Sequence, residues 1–323
     1  MAMTIFGQLV IGPPGCGKTT YCKYIGENLK QLGRNVKIIN LDPANDCLIY
    51  KPSIDIMDFV NVEEIMKAKE LGPNGAMIDC MVTLNDNFGW LYDKIVELIQ
   101  EESRQYQEYA KTHTDEENNE KLNQCKPYLL FDCPGQSELY THYRTMRDIC
   151  AKLSAKNNHF DLRLAAVNLC DAHHASDYSK YIGVVLNSLC TMINLELPHI
   201  NVLSKVDKIE IYGKTRFNLD FYCEVQDMKH LLETELDSPF FEKYRKLSES
   251  LVGVIDDYSL VNFAPLDIQK AENIYHVVQL VDKANGYYIN DLDLAILQLN
   301  PRLAEMASGR RQDPIEDATL SQV

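Results

Sequence analysis

The sequence predicts a doubly wound, mostly parallel α/β sheet carrying a helical insertion. Three observations carry that expectation. Short, near-continuously apolar runs alternate with longer helical patterns, as strands covered on both faces should. The first run leads directly into a glycine-rich loop and a helix. Later runs end in polar residues, at the strand ends where open parallel sheets bind ligands. The length of 323 residues, with 46% apolar and 24% charged residues, suits a globular chain with a sizeable core.

Taken in order, Phe6–Ile11 is the first strand and Lys18–Leu32 the first helix, stopped by Gly33. Between them, Gly12-Pro13-Pro14-Gly15-Cys16-Gly17-Lys18-Thr19 matches the pattern G-x-x-x-x-G-K-S/T in the strand-to-helix setting the motif requires. Gly15 and Gly17 let the backbone curl so that its N–H groups point at phosphate oxygens, and the helix N-terminus adds partial positive charge. The phosphate-binding run is Gly15, Cys16, Gly17, Lys18, Thr19 and Thr20. Lys18 reaches the β- and γ-phosphates, and Thr19 offers its hydroxyl to Mg2+.

The next strand, Val36–Leu41, ends in Asp42-Pro43-Ala44-Asn45 on the nucleotide side. Asp42 there either binds Mg2+ or polarises the catalytic water; the plainer alternative is an Asp-Pro turn. Phe88–Gln100 is helical, with Phe88, Leu91, Ile95, Leu98 and Ile99 on one side. Glu101–Gln124 extends it and then becomes a solvated, mobile insertion. The strand Tyr128–Phe131 delivers Asp132, which holds Mg2+ through water. Cys133-Pro134-Gly135-Gln136 follows as a switch loop: the Gly135 N–H bonds the γ-phosphate, and Gln136 orients the attacking water or is simply a solvated helix start.

Leu162–Leu169 is the next strand and Asp177–Asn194 the helix after it. Ile200–Leu203 then presents Ser204-Lys205-Val206-Asp207, similar to the guanine-reading pattern N/S/T-K-x-D. A carboxylate at Asp207 accepts from N1–H and the 2-amino group of guanine, and adenine lacks that donor pair. Lys205 covers the ring face. Leu219–Leu232 is helical, and 216–257 forms a helical insertion. A last strand, Leu260–Phe263, ends near Ala264, Pro265 and Leu266, from which the last base contact comes. Residues 1–300 form one domain, and 301–323 are a disordered tail.

Net charge is −15, from 32 Lys+Arg against 47 Asp+Glu. A broad nucleic-acid or anionic-membrane surface needs clustered cations, so neither is expected. The acidity is concentrated: Glu101–Gln124 has seven acids and three bases, and Asp220–Asp257 ten and four. By contrast, Cys125–Leu219 has nine acids and eleven bases. The second acidic segment, rich in Phe, Tyr and Leu, is a candidate partner face. Ten cysteines without a C-x-x-C pair, several in apolar runs (Cys80, Cys170, Cys190), read as reduced small hydrophobes. No run reaches about 18 apolar residues, and no signal peptide opens the chain. His173-His174 reads as a loop pair before a metal site. Arg144 and Arg147 read as helix-surface cations before arginine fingers.

With these motifs in place, the sequence resembles the GPN-loop GTPases. Leu71-Gly72-Pro73-Asn74-Gly75 carries the Gly-Pro-Asn loop of that family. Asn40-Leu41-Asp42-Pro43-Ala44, Asp132-Cys133-Pro134-Gly135-Gln136 and Ser204-Lys205-Val206-Asp207 follow in the family's order. Further matches are Leu197-Pro198-His199-Ile200-Asn201, Phe217-Asn218-Leu219-Asp220 and Asp282-Lys283-Ala284-Asn285-Gly286-Tyr287. The likeness runs from about Phe6 to Tyr288 and is strongest to the second of three eukaryotic paralogues. Departures are the long insertion at 101–124 and Ser204 in place of the commoner Asn.

The resemblance implies a P-loop GTPase of the signal-recognition-particle-like class, dimeric with itself or with paralogous GPN-loop GTPases. It implies that Gly72, Pro73 and Asn74 reach across the dimer, with Asn74 near the partner's γ-phosphate, and that Asp42 and Gln136 position water. It further implies Mg2+ as cofactor and GTP and GDP as substrate and product. A role with RNA polymerase subunits or assembly factors, notably of polymerase II, belongs to the same implication, in the cytoplasm with possible nuclear shuttling. No direct nucleic-acid or membrane contact is expected. Two rivals remain at this point. One is an assembly factor for which GTP is a structural ligand and hydrolysis incidental. The other is a nucleotide kinase, against which the 204–207 motif argues.

Overall fold

A computed structural model of the chain describes residues 3–45, 48–110, 126–157, 159–212, 215–225, 228–233 and 239–287. The tail 301–323 and most of the acidic insertion (111–124) lie outside the described residues.

Seven strands form one sheet, all parallel. They are β1 (Met3–Ile11), β2 (Asn35–Asn40), β3 (Ile54–Asp55), β4 (Pro127–Asp132), β5 (Phe160–Asp171), β6 (His199–Ser204) and β7 (Phe263–Leu266). Their spatial order is β3-β2-β4-β1-β5-β6-β7. The strand after the first helix therefore joins the sheet parallel, as expected, but pairs with β4; β4 is inserted between it and β1. This topology makes β1 the centre and opens the ligand crevice at its C-terminal end.

The strands alternate strictly between faces. Leu9 and Ile11 of β1 and Leu129 and Phe131 of β4 face one layer, while Val10, Tyr128 and Leu130 face the other. On the first face lie α3 (Pro73–Asp86), α4 (Phe88–Ala110) and α6 (Thr145–Ser154). On the second lie α1 (Lys18–Gln31) and α12 (Ala271–Asn285). The short α2 (Val62–Lys69) packs on α3, and α5 (Glu138–Thr141) on α7 (Tyr178–Leu195). Beyond β6 the chain makes α8 (Ile209–Tyr212), α9 (Leu219–Glu224), α10 (Met228–Glu233) and α11 (Pro239–Tyr258). Tyr222, Met228, Leu231, Val252 and Ile255 of this insertion share a core with α7 and Phe263.

Three expectations need correction. The last strand is not Leu260–Phe263 but β7, three residues later; Leu260 is 53% exposed. Pro265 is tolerated inside β7 because β7 is an edge strand, paired on one side only. Leu219–Leu232 is two helices, not one. Val225 takes a left-handed φ of 52° at the end of α9, which breaks the helix. Cys190 is exposed, although the other described cysteines are buried and reduced.

The second face is fastened to β2 at the sheet's other end. Arg34, before β2, donates to both oxygens of Asp282 on α12 at 2.8 and 2.6 Å. Burial opposes its charge, but the Asp282 carboxylate more than offsets this and keeps the guanidinium protonated. Such a pair is costly to break from one side, about 3–5 kcal/mol.

Candidate functional site

The loop after β1 owes its shape to glycine. Gly12, Gly15 and Gly17 have φ of 140°, 77° and 100°, a region L side chains avoid. At Gly12 a Cβ would also lie 2.3 Å from the Leu169 carbonyl oxygen, so no larger residue fits. Lys18 is buried, and its ammonium donates to the carbonyls of Gly12 (3.1 Å) and Pro13 (3.2 Å). The charge thus folds over the loop whose N–H groups would meet phosphate. Thr20 is exposed in the first turn of α1, beside the half-buried Thr19.

The neighbouring strands deliver the acidic side. Asp132 ends β4 in register with Val10 of β1 and with Asn40 of β2. It is 1% exposed, and burial raises its carboxyl above the usual value, against the pull of the Tyr50 and Thr19 hydroxyls and of the Lys18 charge. Tyr50 Oη donates to Asp132 Oδ2 at 2.8 Å. Burial first, and the Asp132 charge second, hold the Tyr50 phenol far above its ordinary value, so it is a donor. Oδ1 of Asp132 is buried with no hydrogen-bond partner among the described residues. Asn45 donates to the Thr19 hydroxyl at 3.1 Å.

Asp42 follows β2. Its backbone N–H donates to Asn40 Oδ1 (3.1 Å), its carbonyl accepts from Asn40 Nδ2 (3.2 Å), and its carboxylate accepts from the Ala44 N–H (3.1 Å). The Asp-Pro turn is therefore formed, at the C-terminal end of β2. The charge of Asp42 reaches Asp132 and raises it further. These residues fit a hard divalent cation: one buried carboxylate oxygen without a donor, one hydroxyl and a second carboxylate nearby, all oxygen. Among the described residues no cluster of three or more His, Cys, Asp or Glu forms, either here or at His173-His174.

The switch loop is pinned at its base. Tyr140 Oη donates to the Pro134 carbonyl at 2.6 Å. Gly135 abuts the phosphate loop: a Cβ there would lie 2.9 Å from Lys18 Nζ and 3.1 Å from Pro14 Cα. Gln136 Nε2 donates to Asn74 Oδ1 at 3.1 Å, and Gln136 Oε1 is buried with no partner among the described residues. Gly72 is the N-cap of α3, Pro73 opens the helix, and Asn74 is exposed in its first turn. Pro-Asn-Gly is thus a helix start and not a free turn. Within the chain itself, Asn74 meets Gln136.

The base-reading segment leans on the phosphate loop. The Ser204 hydroxyl shares its proton between the carbonyls of Cys16 (2.9 Å) and Cys170 (3.1 Å). Ser204 therefore acts as a brace between β6, β5 and the loop. Lys205, at φ 60°, donates to the Gly15 carbonyl at 2.6 Å and to Asp171 Oδ2 at 2.5 Å. Burial would raise Asp171, but the Lys205 and His173 hydrogen bonds outweigh it and hold the carboxyl below its usual range. Asp207 is exposed on the turn that follows. Ala264 and Pro265 lie inside β7 and not past its end; the strand end is Leu266, beside Ser204. Arg147 pairs with Glu196 at 2.7 Å, as a helix-surface cation would.

Sequence reasoning missed Tyr50 and Asp171. Asp171 could have been found as the polar end of a central strand; nothing in the local sequence marks Tyr50. No helix of the described residues is long and apolar enough to cross a membrane.

A family model described as a conserved hypothetical ATP binding protein matches residues 10–287. GPN-loop GTPase 2 of Danio rerio is 47% identical over 293 residues, covering 91% of this chain and 85% of that protein. GPN-loop GTPase QQT1 of Arabidopsis thaliana is 43% identical, covering 91% and 89%. GPN-loop GTPase 2 of Saccharomyces cerevisiae is 38% identical, covering 87% and 75%. The crystal structure of a Pyrococcus abyssi GTPase in its apo form has the same fold, with a TM-score of 0.62 at 23% identity. That match covers 89% of this chain and 100% of the other.

Proposed function

The chain belongs to the GPN-loop GTPase family, and on that premise we propose that it is a Mg2+-dependent, dimeric GTP switch serving RNA polymerase assembly. The activity is hydrolysis of GTP to GDP and phosphate. The observation that carries the reading is the Lys205–Gly15 hydrogen bond, which joins a guanine-type motif to a phosphate loop. The family model's description mentions ATP, but Asp207 presents an acceptor that suits the N1–H and 2-amino donors of guanine.

In the proposed site, the N–H groups of 15–20 and the Lys18 ammonium hold the β- and γ-phosphates and offset charge developing in the transition state. Thr19, Asp42 and Asp132 would hold Mg2+, which would supply neutralisation of phosphate charge. Gly135 sits against Lys18 and Pro14, where its N–H can follow the γ-phosphate. Gln136 and Asp42 orient the attacking water, and Asn74 of a paired chain completes the arrangement. The base is flanked from the C-terminal end of β7, at Leu266 beside Ser204. The GPN loop serving a partner's site, pairing with an identical or paralogous chain, and cytoplasmic action with nuclear shuttling all belong to this proposal. Their support is the ordered motif set, Gly72-Pro73-Asn74 included.

The test measures GTP and ATP turnover with and without Mg2+, then captures proteins from the GDP- and GTP-loaded chain. Turnover of GTP alone, dependent on Mg2+, and nucleotide-dependent retention of polymerase subunits are expected. Equal binding of ATP and GTP sinks the base assignment. If Gln136→Leu and Asp42→Ala chains lose hydrolysis yet keep every partner, GTP acts only as a structural ligand.

A further inference from the structure

Tyr50 lies 82 residues before Asp132 in the sequence, yet its hydroxyl is bonded to that carboxylate. Its position is set from two sides. The ring packs against the core under α1, which includes Tyr21 and Cys22. The chain just after it is anchored where the Ser53 N–H donates to the Ile38 carbonyl at 2.7 Å and Asn40 Nδ2 donates to Asp55 Oδ1 at 2.9 Å. The hydroxyl is therefore delivered by a fastened segment.

We propose that Tyr50 is a positioning residue for Asp132: it anchors one carboxylate oxygen and leaves the other for the hydration shell of a divalent cation. The chemistry of the donor decides this. A lysine or arginine in the same place would neutralise the carboxylate and compete with the cation. A phenol donates one proton and leaves the negative charge intact. It uses Oδ2 only, while the buried Oδ1 has no partner among the described residues. Without the phenol, the carboxylate can swing towards the nearby Lys18 ammonium, whose attraction it already feels.

This inference rests on the proposed Mg2+-dependent reading. It is tested with the full chain and a fluorescent guanine nucleotide, by titrating Mg2+ and recording nucleotide affinity. Tyr50→Phe keeps the ring and removes the hydroxyl. The Mg2+ concentration at half-effect should rise by about fivefold, the size of one hydrogen bond. Nucleotide affinity in EDTA and the melting temperature should stay close to those of the unsubstituted chain. Asp132→Asn should shift the Mg2+ dependence further, and Tyr50→Phe added to it should shift it no more. An unchanged or lowered Mg2+ requirement in Tyr50→Phe, beside a shifted Asp132→Asn, overturns the positioning role alone; so do additive effects in the double variant. An unsubstituted chain whose guanine-nucleotide binding ignores Mg2+ overturns the underlying reading, and this inference with it.

Discussion

The two ends of the nucleotide cleft are built by different means. At the phosphate end, backbone conformation does most of the work: three glycines at positive φ and a lysine bound to its own loop carbonyls. At the base end, side chains from β6 do it, with Ser204 and Lys205 bracing the loop and Asp207 exposed beyond them. A backbone site holds any polyphosphate, whereas a side-chain site can choose a base. Substitutions at the two ends should therefore separate affinity from selectivity.

The largest effect is expected at Lys18. Lys18→Ala should weaken GTP and GDP alike by about 100-fold or more, because a buried charge-assisted contact is lost for every nucleotide. Isothermal titration with both nucleotides checks it, and loss of only one of them would erase the contrast. Next, Asp207→Asn should cut the preference for GTP over ATP by about 100-fold while leaving phosphate-driven affinity in place. Competition binding measures this directly. Gln136→Leu should slow single-turnover hydrolysis by about tenfold or more with near-normal binding, since it removes an orienting amide and not a phosphate contact.

Smaller still is Ser204→Ala, expected to cost about 1 kcal/mol in urea unfolding and a few-fold in base selectivity, through the Cys16 and Cys170 carbonyls. The smallest effect near neutral pH concerns His199, at the opposite end of β6. Burial pushes its imidazole down to about 4, with Asn201 opposing weakly. The folded chain therefore keeps His199 neutral where the unfolded chain takes up a proton. Its contribution is fully present above about pH 6.5 and is lost as the pH falls towards 4, by up to about 1.4 kcal/mol per pH unit. The difference between the unsubstituted chain and His199→Gln across that window isolates it, and nucleotide selectivity should not change.

Much of the phosphate end was legible because its signals are local. Gly12–Thr19 is contiguous, and the alternation of β1 and β4 places Asp132 without knowledge of anything distant. The base end was less legible. Ser204 belongs to a base-reading pattern, and its hydroxyl is bonded to two carbonyls that no local pattern announces. The last strand is hard to place from sequence, because apolar character favours Leu260–Phe263 and a proline within β7 disfavours that register. Only the edge position, a property of the whole sheet, reverses that argument. Tyr50 and the two-residue β3 escaped for a related reason: each matters through a partner remote in sequence.

The parallel register has a consequence for how such a chain tolerates change. Asn40, Asp132 and Val10 stand level across three strands, as do Asp171, Ser204 and Leu266 across three others. The sheet acts as a ruler laid under the cleft. Inserting one residue within β4 would turn Asp132 to the opposite layer and expose its neighbours' apolar set, because side chains alternate with period two. Lengthening a connection leaves the ruler untouched, since closing a longer loop costs little. Lys18 and Asp132 are neighbours in space although 114 positions apart in sequence. Reporter groups or extra segments should therefore be accepted in the connections and rejected within the strands, one residue being as damaging there as many.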